Sequence, residues 1–164
     1  MGPPAMPSID TGAPPPTSQY LTFRLGEAEY GVPILVVQEI KGQSIITPIP
    51  NAPRHLAGVM NLRGMIVPVV DLRVKFSLPD VGYDRFTVIV LVSVGAKIVG
   101  MVVDAVSDVL DIPATEIQAV PDLGAQVNAG FVSGLARAGD KLIVLLDVAK
   151  VLDGDARFAP AGGT

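Results

Sequence analysis

His55–Phe76 reads HLAGVMNLRGMIVPVVDLRVKF, and Phe131–Leu152 reads FVSGLARAGDKLIVLLDVAKVL. Laid over one another at a constant offset of 76 residues, the two stretches need no gap. Gly58 falls on Gly134 and Asp71 on Asp147, while Leu56, Val59, Ile66, Val67, Val69, Val70, Leu72 and Phe76 all fall on apolar residues. Upstream, Gly31–Ile40 (GVPILVVQEI) lies over Gly100–Val109 (GMVVDAVSDV) at an offset of 69, matching Val37 with Val106, Glu39 with Asp108 and Ile40 with Val109. The growth of the offset puts about seven additional residues between the blocks of the second half. A repeat of this size with its apolar positions retained is one strand-rich unit built twice. The copies differ in their polar residues, which is where two different binding surfaces can be written.

Around that repeat, 164 residues suggest one domain or two small ones packed together. Hydrophobic residues make up 49% of the chain, enough for a sizeable core, whereas each half alone would be short of one. The formal charge is −4 and the pI about 4.8, with no basic stripe, which argues against nucleic acid as a partner. Cysteine is absent, excluding disulfides, thiolate metal sites and a cysteine nucleophile. No cationic segment precedes an apolar one at the N-terminus, so no secretory signal is expected. The longest apolar runs, Val88–Val92 and Leu142–Leu146, are five residues, against the roughly 20 a membrane helix needs. A soluble, cytoplasmic chain is the expectation.

Met1–Ser18 holds six prolines and one charge, Asp10, and reads as a disordered lead-in (1–18). Tyr20–Leu25 alternates, with Leu21, Phe23 and Leu25 on one face, as a half-buried strand does; Glu29–Val32 returns after a turn. Ile34–Ile40 reads as a helical turn running into a strand, being too β-branched for a long helix. Ile45–Ile49 reads as a short strand closed by prolines. Gly58–Leu62 and Met65–Val70 form a hairpin around Arg63–Gly64. Asp71 and Asp147 each open a short helix, since a carboxylate there accepts from the first unpaired amides. Phe86–Val94 and Lys97–Val103 make another hairpin, Ala119–Asn128 is the inserted loop, and the end (154–164) should fray. The domain is expected over 19–153, with a first barrel repeat at about 20–76, a linker at 77–85 and a second barrel repeat at about 86–152. Many short strands punctuated by Gly and Pro indicate small barrels, an all-β fold with a few short helices.

Catalytic signals are sparse. His55 is the one histidine and has no readable partner to complete a metal site or to orient a base; its repeat mate is Phe131, which favours packing. Asp104, Asp108 and Asp111 could suggest a hard-cation site, but calcium loops are denser in oxygen ligands, and alternation with buried Val and Leu accounts for them. Neither a phosphate-cradling glycine pattern nor a GxSxG nucleophile is present. A binding module without catalytic residues, metal or cofactor is favoured over an enzyme.

Pro50–Leu72 (PNAPRHLAGVMNLRGMIVPVVDL), Glu29–Ile40 (EYGVPILVVQEI), Val99–Leu110 (VGMVVDAVSDVL) and Gly134–Leu152 (GLARAGDKLIVLLDVAKVL) resemble, in order, the CheW family of bacterial chemotaxis coupling proteins. The resemblance runs from about Tyr20 to Leu152, and the joint occurrence of VQEI, NLRG and VPVVDLR is specific. It implies two pseudo-symmetric five-stranded SH3-like β-barrels with a third core between them. It also implies a non-catalytic adaptor that binds the regulatory domain of a CheA-type histidine kinase and the cytoplasmic tips of methyl-accepting chemoreceptors. Such a protein is cytoplasmic and recruited to membrane-associated receptor arrays without inserting in the membrane.

The resemblance also assigns residues. Glu39, in VQEI beside Val37, is either a polar anchor on an apolar receptor-binding surface or a solvated strand residue. Arg63, in NLRG, either orients the groove or contacts the receptor, or else stabilises its turn; a guanidinium there can bridge carbonyls or a carboxylate. Val106 and Val109, the repeat mates of Val37 and Ile40, are expected opposite. In Gln118–Leu123 (QAVPDL), Gln118 and Leu123 stand where the family contacts the kinase or a neighbouring array unit. A different class of function remains open: a stand-alone regulatory or ligand-binding module with a small molecule between the barrels. A polar cavity would favour it, and a filled apolar junction would favour the adaptor.

Overall fold

The computed structural model describes residues 17–42, 44–78, 82–119 and 129–158. Among these residues eleven strands run in chain order: β1 (Thr17–Leu25), β2 (Ala28–Pro33), β3 (Val37–Lys41), β4 (Leu56–Leu62), β5 (Met65–Asp71), β6 (Val88–Val94), β7 (Lys97–Val103), β8 (Ala105–Pro113), β9 (Ile117–Gln118), β10 (Val132–Ala138) and β11 (Lys141–Leu146). Two short helices, α1 (Leu72–Lys75) and α2 (Val148–Leu152), follow β5 and β11. As the sequence suggests, each is capped by an aspartate: Asp71 accepts from the Arg73 amide at 3.0 Å and Asp147 from the Lys150 amide at 3.2 Å. A 3-10 turn at Ile34–Val36 leads into β3, as expected for that stretch.

The strands form two sheets, in the orders β8-β1-β2-β11-β10-β9 and β3-β6-β7-β5-β4. The fold is mainly β, with the twin SH3-like barrel arrangement. In the second sheet an ion pair joins Glu39 on one edge strand to Arg63 in the turn at the other edge, so the sheet has rolled on itself. One barrel carries a sixth strand, the two-residue β9; its counterpart in the other is a single bridge, Thr47 to Val59. That bridge is all that remains of the strand expected over Ile45–Ile49, because Pro48 and Pro50 remove the amides that would extend it.

The sequence repeats are not the spatial barrels. The β1–β2 hairpin, from the first repeat, joins β8–β11 of the second, and the β6–β7 hairpin of the second joins β3–β5 of the first. The boundaries 20–76 and 86–152 therefore delimit sequence copies, each divided between two sheets. The exchange is reciprocal in register: Val69 pairs with Gly100 across the parallel β5–β7 seam, and Leu145 pairs with Gly31 across β11–β2. Every offset of the alignment reappears in these pairings. Leu56↔Val70 matches Val132↔Leu146, and Val37↔Val92 matches Val106↔Phe23. Even the backbone bonds at the entries to β4 and β10 repeat, Asp71 N to His55 O and Asp147 N to Phe131 O, each at 2.8 Å.

Three cores result. Each barrel has its own, and a larger third one lies between the sheets, where Leu21, Phe23 and Leu25 meet Val90, Val92, Met101 and Leu72. Phe23 and Leu72 are fully buried there, and each contributes about 2 kcal/mol from the area removed from water. A ladder of rings, Phe23–Tyr30–Phe76–Phe131, crosses the junction at centroid spacings of 6.2, 5.8 and 6.0 Å.

Both ends depart from expectation. Residues 1–16 lie outside the described residues, but Thr17 and Ser18 belong to β1, paired with Pro113 and Ile112. At the other end, 154–158 do not fray: Asp155 is 2% exposed and Ala156 joins the central core. The Asp155 carboxylate takes His55 Nε2 at 2.7 Å and Lys75 Nζ at 2.5 Å. That anchor is a contact across 100 residues, which local pattern does not reveal. Residues 159–164 lie outside the described residues.

Candidate functional site

β3 is an edge strand with a bulge. Its pairing to β6 shifts between Val37↔Val92 and Glu39↔Leu91, leaving Gln38 as the extra residue. Val37 is half-buried on the central core. Past the bulge, the Glu39 carboxylate meets Arg63, whose Nη2 donates to Oε1 at 2.9 Å, and Lys41 Nζ lies 3.7 Å from Oε2. Arg63 holds a left-handed backbone, φ 50°, followed by Gly64 at φ 89°. Positive φ at both central positions suits the tight turn of a twisted hairpin, and the Gly64 amide donates to Asn61 Oδ1 at 2.8 Å. Arginine is strained in that conformation where glycine is free. The repeat mate, Gly139, accordingly adopts φ 66° without a side chain.

The hydrogen bond from Arg63 holds the Glu39 carboxyl below the usual glutamate range, with the charges of Arg63 and Lys41 adding to it. A charged pair thus stands on an edge strand; exposed apolar side chains occur on the same segment, Ile40 (43%) on the other face of β3 and Leu35 (91%) in the turn before it.

The structure brings some of the expected residues together and separates others. Glu39 and Arg63 are joined directly. Val37 and Val106, in different sheets, both pack on the central core. Val109 sits on β8 opposite Leu21 and is exposed, in the sheet that does not contain Glu39. Gln118 is exposed on β9, paired with Leu135. Leu123 lies outside the described residues. Asp104, Asp108 and Asp111 do not converge on a cation: Asp104 instead accepts from buried Arg73 at 3.2 Å and from the Gly26 amide at 2.7 Å. Among the described residues no three His, Cys, Asp or Glu side chains are grouped to hold a metal.

Sequence reasoning missed two features. Arg73 is almost wholly buried and binds Asp71 through Nε and Nη2, with Nη1 on the Gly82 carbonyl at 2.7 Å. Its helical position gave no sign of this, although burial of arginine requires such pairing. The second is exposure of apolar repeat mates. Ile66 and Leu142 are 47% and 60% exposed, and Ile40 and Val109 are likewise exposed as a pair. Retention of an apolar residue in both copies does not by itself tell core from surface, and Ile66 and Leu142 lie on the outward faces of β5 and β11.

Twin barrels with a filled junction, exposed apolar side chains at matched places and a charged pair on a free edge define a protein-binding module. The chain belongs to the CheW family: the family model for the CheW-like domain matches residues 19–156. It is 43% identical to the chemotaxis protein CheW of Klebsiella aerogenes over 137 residues, 84% of this chain and 82% of that one. It is 33% identical to the chemotaxis protein CheW of Rhizobium meliloti, over 86% of this chain and 91% of the relative. The crystal structure of the scaffolding protein TtCheW from Thermoanaerobacter tengcongensis superposes with a TM-score of 0.78 at 32% identity, covering 83% of this chain and 92% of that one. No helix among the described residues is long and apolar enough to cross a membrane.

Proposed function

We propose that the protein is a non-enzymatic adaptor that couples methyl-accepting chemoreceptors to a CheA-type histidine kinase. Receptor recognition lies at Glu39 and Arg63, with Val37, Val106 and Val109 supplying apolar contact. The observation that carries the reading is the Glu39–Arg63 pair on edge strand β3, a strand that also carries exposed Ile40 on its other face and follows exposed Leu35. An apolar surface accepts the hydrophobic stripe of a receptor helix, and a rim charge pair sets register and specificity more than affinity. The kinase or a neighbouring array unit is met elsewhere, through Gln118 and Leu123 and through the exposed apolar side chains of the barrels, a surface type that marks interfaces. The protein acts in the cytoplasm and reaches the membrane only through the receptors.

The filled apolar junction supports this reading over a stand-alone module with a ligand between the barrels. Binding of a receptor tip and of the kinase regulatory domain to one folded Glu39→Ala variant tests it. Receptor affinity should fall about tenfold, the scale of a modest interface hot spot, with kinase affinity unchanged. Equal loss of both would remove Glu39 from the receptor site.

A further inference from the structure

The two barrels have unlike mouths. In the first, Leu91 is buried, Ile98 and Met65 pack against the barrel core, and Arg63 is paired with Glu39. The register pairs give the counterparts in the second. Thr22 stands for Leu91, Glu29 for Ile98, Lys141 for Met65, Asp108 for Glu39 and Gly139 for Arg63. The plug is missing and the mouth is open. All five residues line a cavity of about 590 Å³. A Cβ built on Gly139 would meet nothing within 4 Å.

We propose that the mouth of the second barrel is a binding site for a guanidinium group, held by Asp108 as Glu39 holds that of Arg63 in the first barrel. The carboxylate is kept and the same bulge positions it, but the position of Arg63 is taken by Gly139, which has no side chain, and among the described residues neither Arg137 nor Lys141 of the lining pairs with Asp108. Asp108 Oδ1 accepts from the Val109 amide at 2.8 Å, and Oδ2 has no hydrogen bond among the described residues. Glu29, Asp111 and Glu116 also line the cavity, leaving it net negative against Arg137 and Lys141. A carboxylate and a guanidinium match as planar two-point partners. The volume lies in the range of small-molecule sites and exceeds a guanidinium alone, so the ligand carries further atoms. Among the described residues Arg137 and Lys141 make no ion pair, which suits an anionic group at the ligand's other end. The inference is separable from receptor recognition at Glu39 and Arg63, which lie on the other sheet; it shares with that reading only the strand β8, where Val106 and Val109 flank Asp108.

The test is titration of the full-length, isotope-labelled chain with l-arginine at constant ionic strength. Saturable shifts are expected at the amides of Asp108, Val109 and Gly139, and l-citrulline, of like shape without the charge, should bind about tenfold more weakly. Asp108→Asn should weaken arginine binding about tenfold, whereas Glu39→Gln leaves it unchanged. Gly139→Arg supplies the guanidinium from within, in a backbone geometry Arg63 already tolerates, and should abolish binding. N-acetyl-l-argininamide separates the sources: equal binding assigns the site to an arginine side chain of another protein, and lost binding to a free arginine-type compound whose carboxylate uses Arg137 and Lys141. Absence of saturable shifts with both arginine compounds, citrulline binding as well as arginine, or an unaffected Asp108→Asn variant that keeps the wild-type unfolding midpoint would each overturn the proposal.

Discussion

At the scale of single residues, the Glu39–Arg63 pair has a pH signature. Glu39 ionises below the ordinary glutamate value of 4.5 because Arg63 donates to its carboxylate. A carboxyl whose folded pKa is depressed contributes its stabilisation in full above the unfolded value, and loses it as pH falls through the folded one. The pair should therefore be intact at neutral and mildly acidic pH and open only below the ordinary range. Carbon-detected titration of the Glu39 carboxyl should show this, and Arg63→Ala should raise the midpoint toward the ordinary value; an unmoved midpoint would mean that the pair is not formed in solution. Asp155 makes a different prediction. Its buried carboxylate is bonded by two side chains, so Asp155→Ala strands Lys75 and His55 and should cost about 2 kcal/mol in urea unfolding. His55→Ala should cost less, because Lys75 still holds the carboxylate. His55 was legible only as a packing residue, from its repeat mate Phe131, since the partner that fixes it is supplied from the far end of the chain.

Among elements, the paired hairpins β4–β5 and β10–β11 show what a repeat reveals and what it conceals. Gly58 and Gly134 align, and both sit at a bulge facing the last residues of the next strand. Their surroundings differ. At Gly58, φ is 149°, and an added Cβ would lie 2.2 Å from the Thr47 carbonyl oxygen; at Gly134 the nearest atoms are the Ile117 methyl at 3.0 Å and the Gln118 carbonyl oxygen at 3.1 Å. Gly58→Ala should thus cost about 3 kcal/mol or more, through strain and displacement of the Thr47 bridge. Gly134→Ala should cost about 1 kcal/mol, because β9 can shift by a few tenths of an ångström. Comparable midpoints for the two variants in chemical denaturation would refute that asymmetry. Strand positions, helix caps and the turn at Arg63–Gly64 were readable because alternation, aspartate and glycine act locally. The pairing of Arg63 with Glu39 was not, since it depends on the sheet rolling far enough to bring its edges together.

For the molecule as a whole, the repeat predicted twin barrels, and the register confirms the alignment pair by pair. What the linear pattern could not carry is which barrel each hairpin enters. The apolar faces of β1–β2 and β6–β7 are equivalent, and chain order alone pairs neighbours. The exchange makes the halves interdependent, since neither repeat contains a complete sheet. Urea unfolding followed by separate probes in the two sheets should give coincident transitions. Fragments 1–80 and 81–164 should be unfolded apart and recover the native fold when mixed. Separable transitions, or a fragment that folds alone, would contradict this.

The same exchange bears on how such a protein can change over generations. A substitution in β6–β7 is encoded in the second half of the gene but alters the barrel that carries Glu39 and Arg63, and a substitution in β1–β2 alters the barrel with the open mouth. Recombination at the centre of the gene would hand each barrel a hairpin from a different parent. Lineages of this architecture are therefore expected to inherit the two copies together, and to specialise them by point changes at the mouths and edges rather than by shuffling halves.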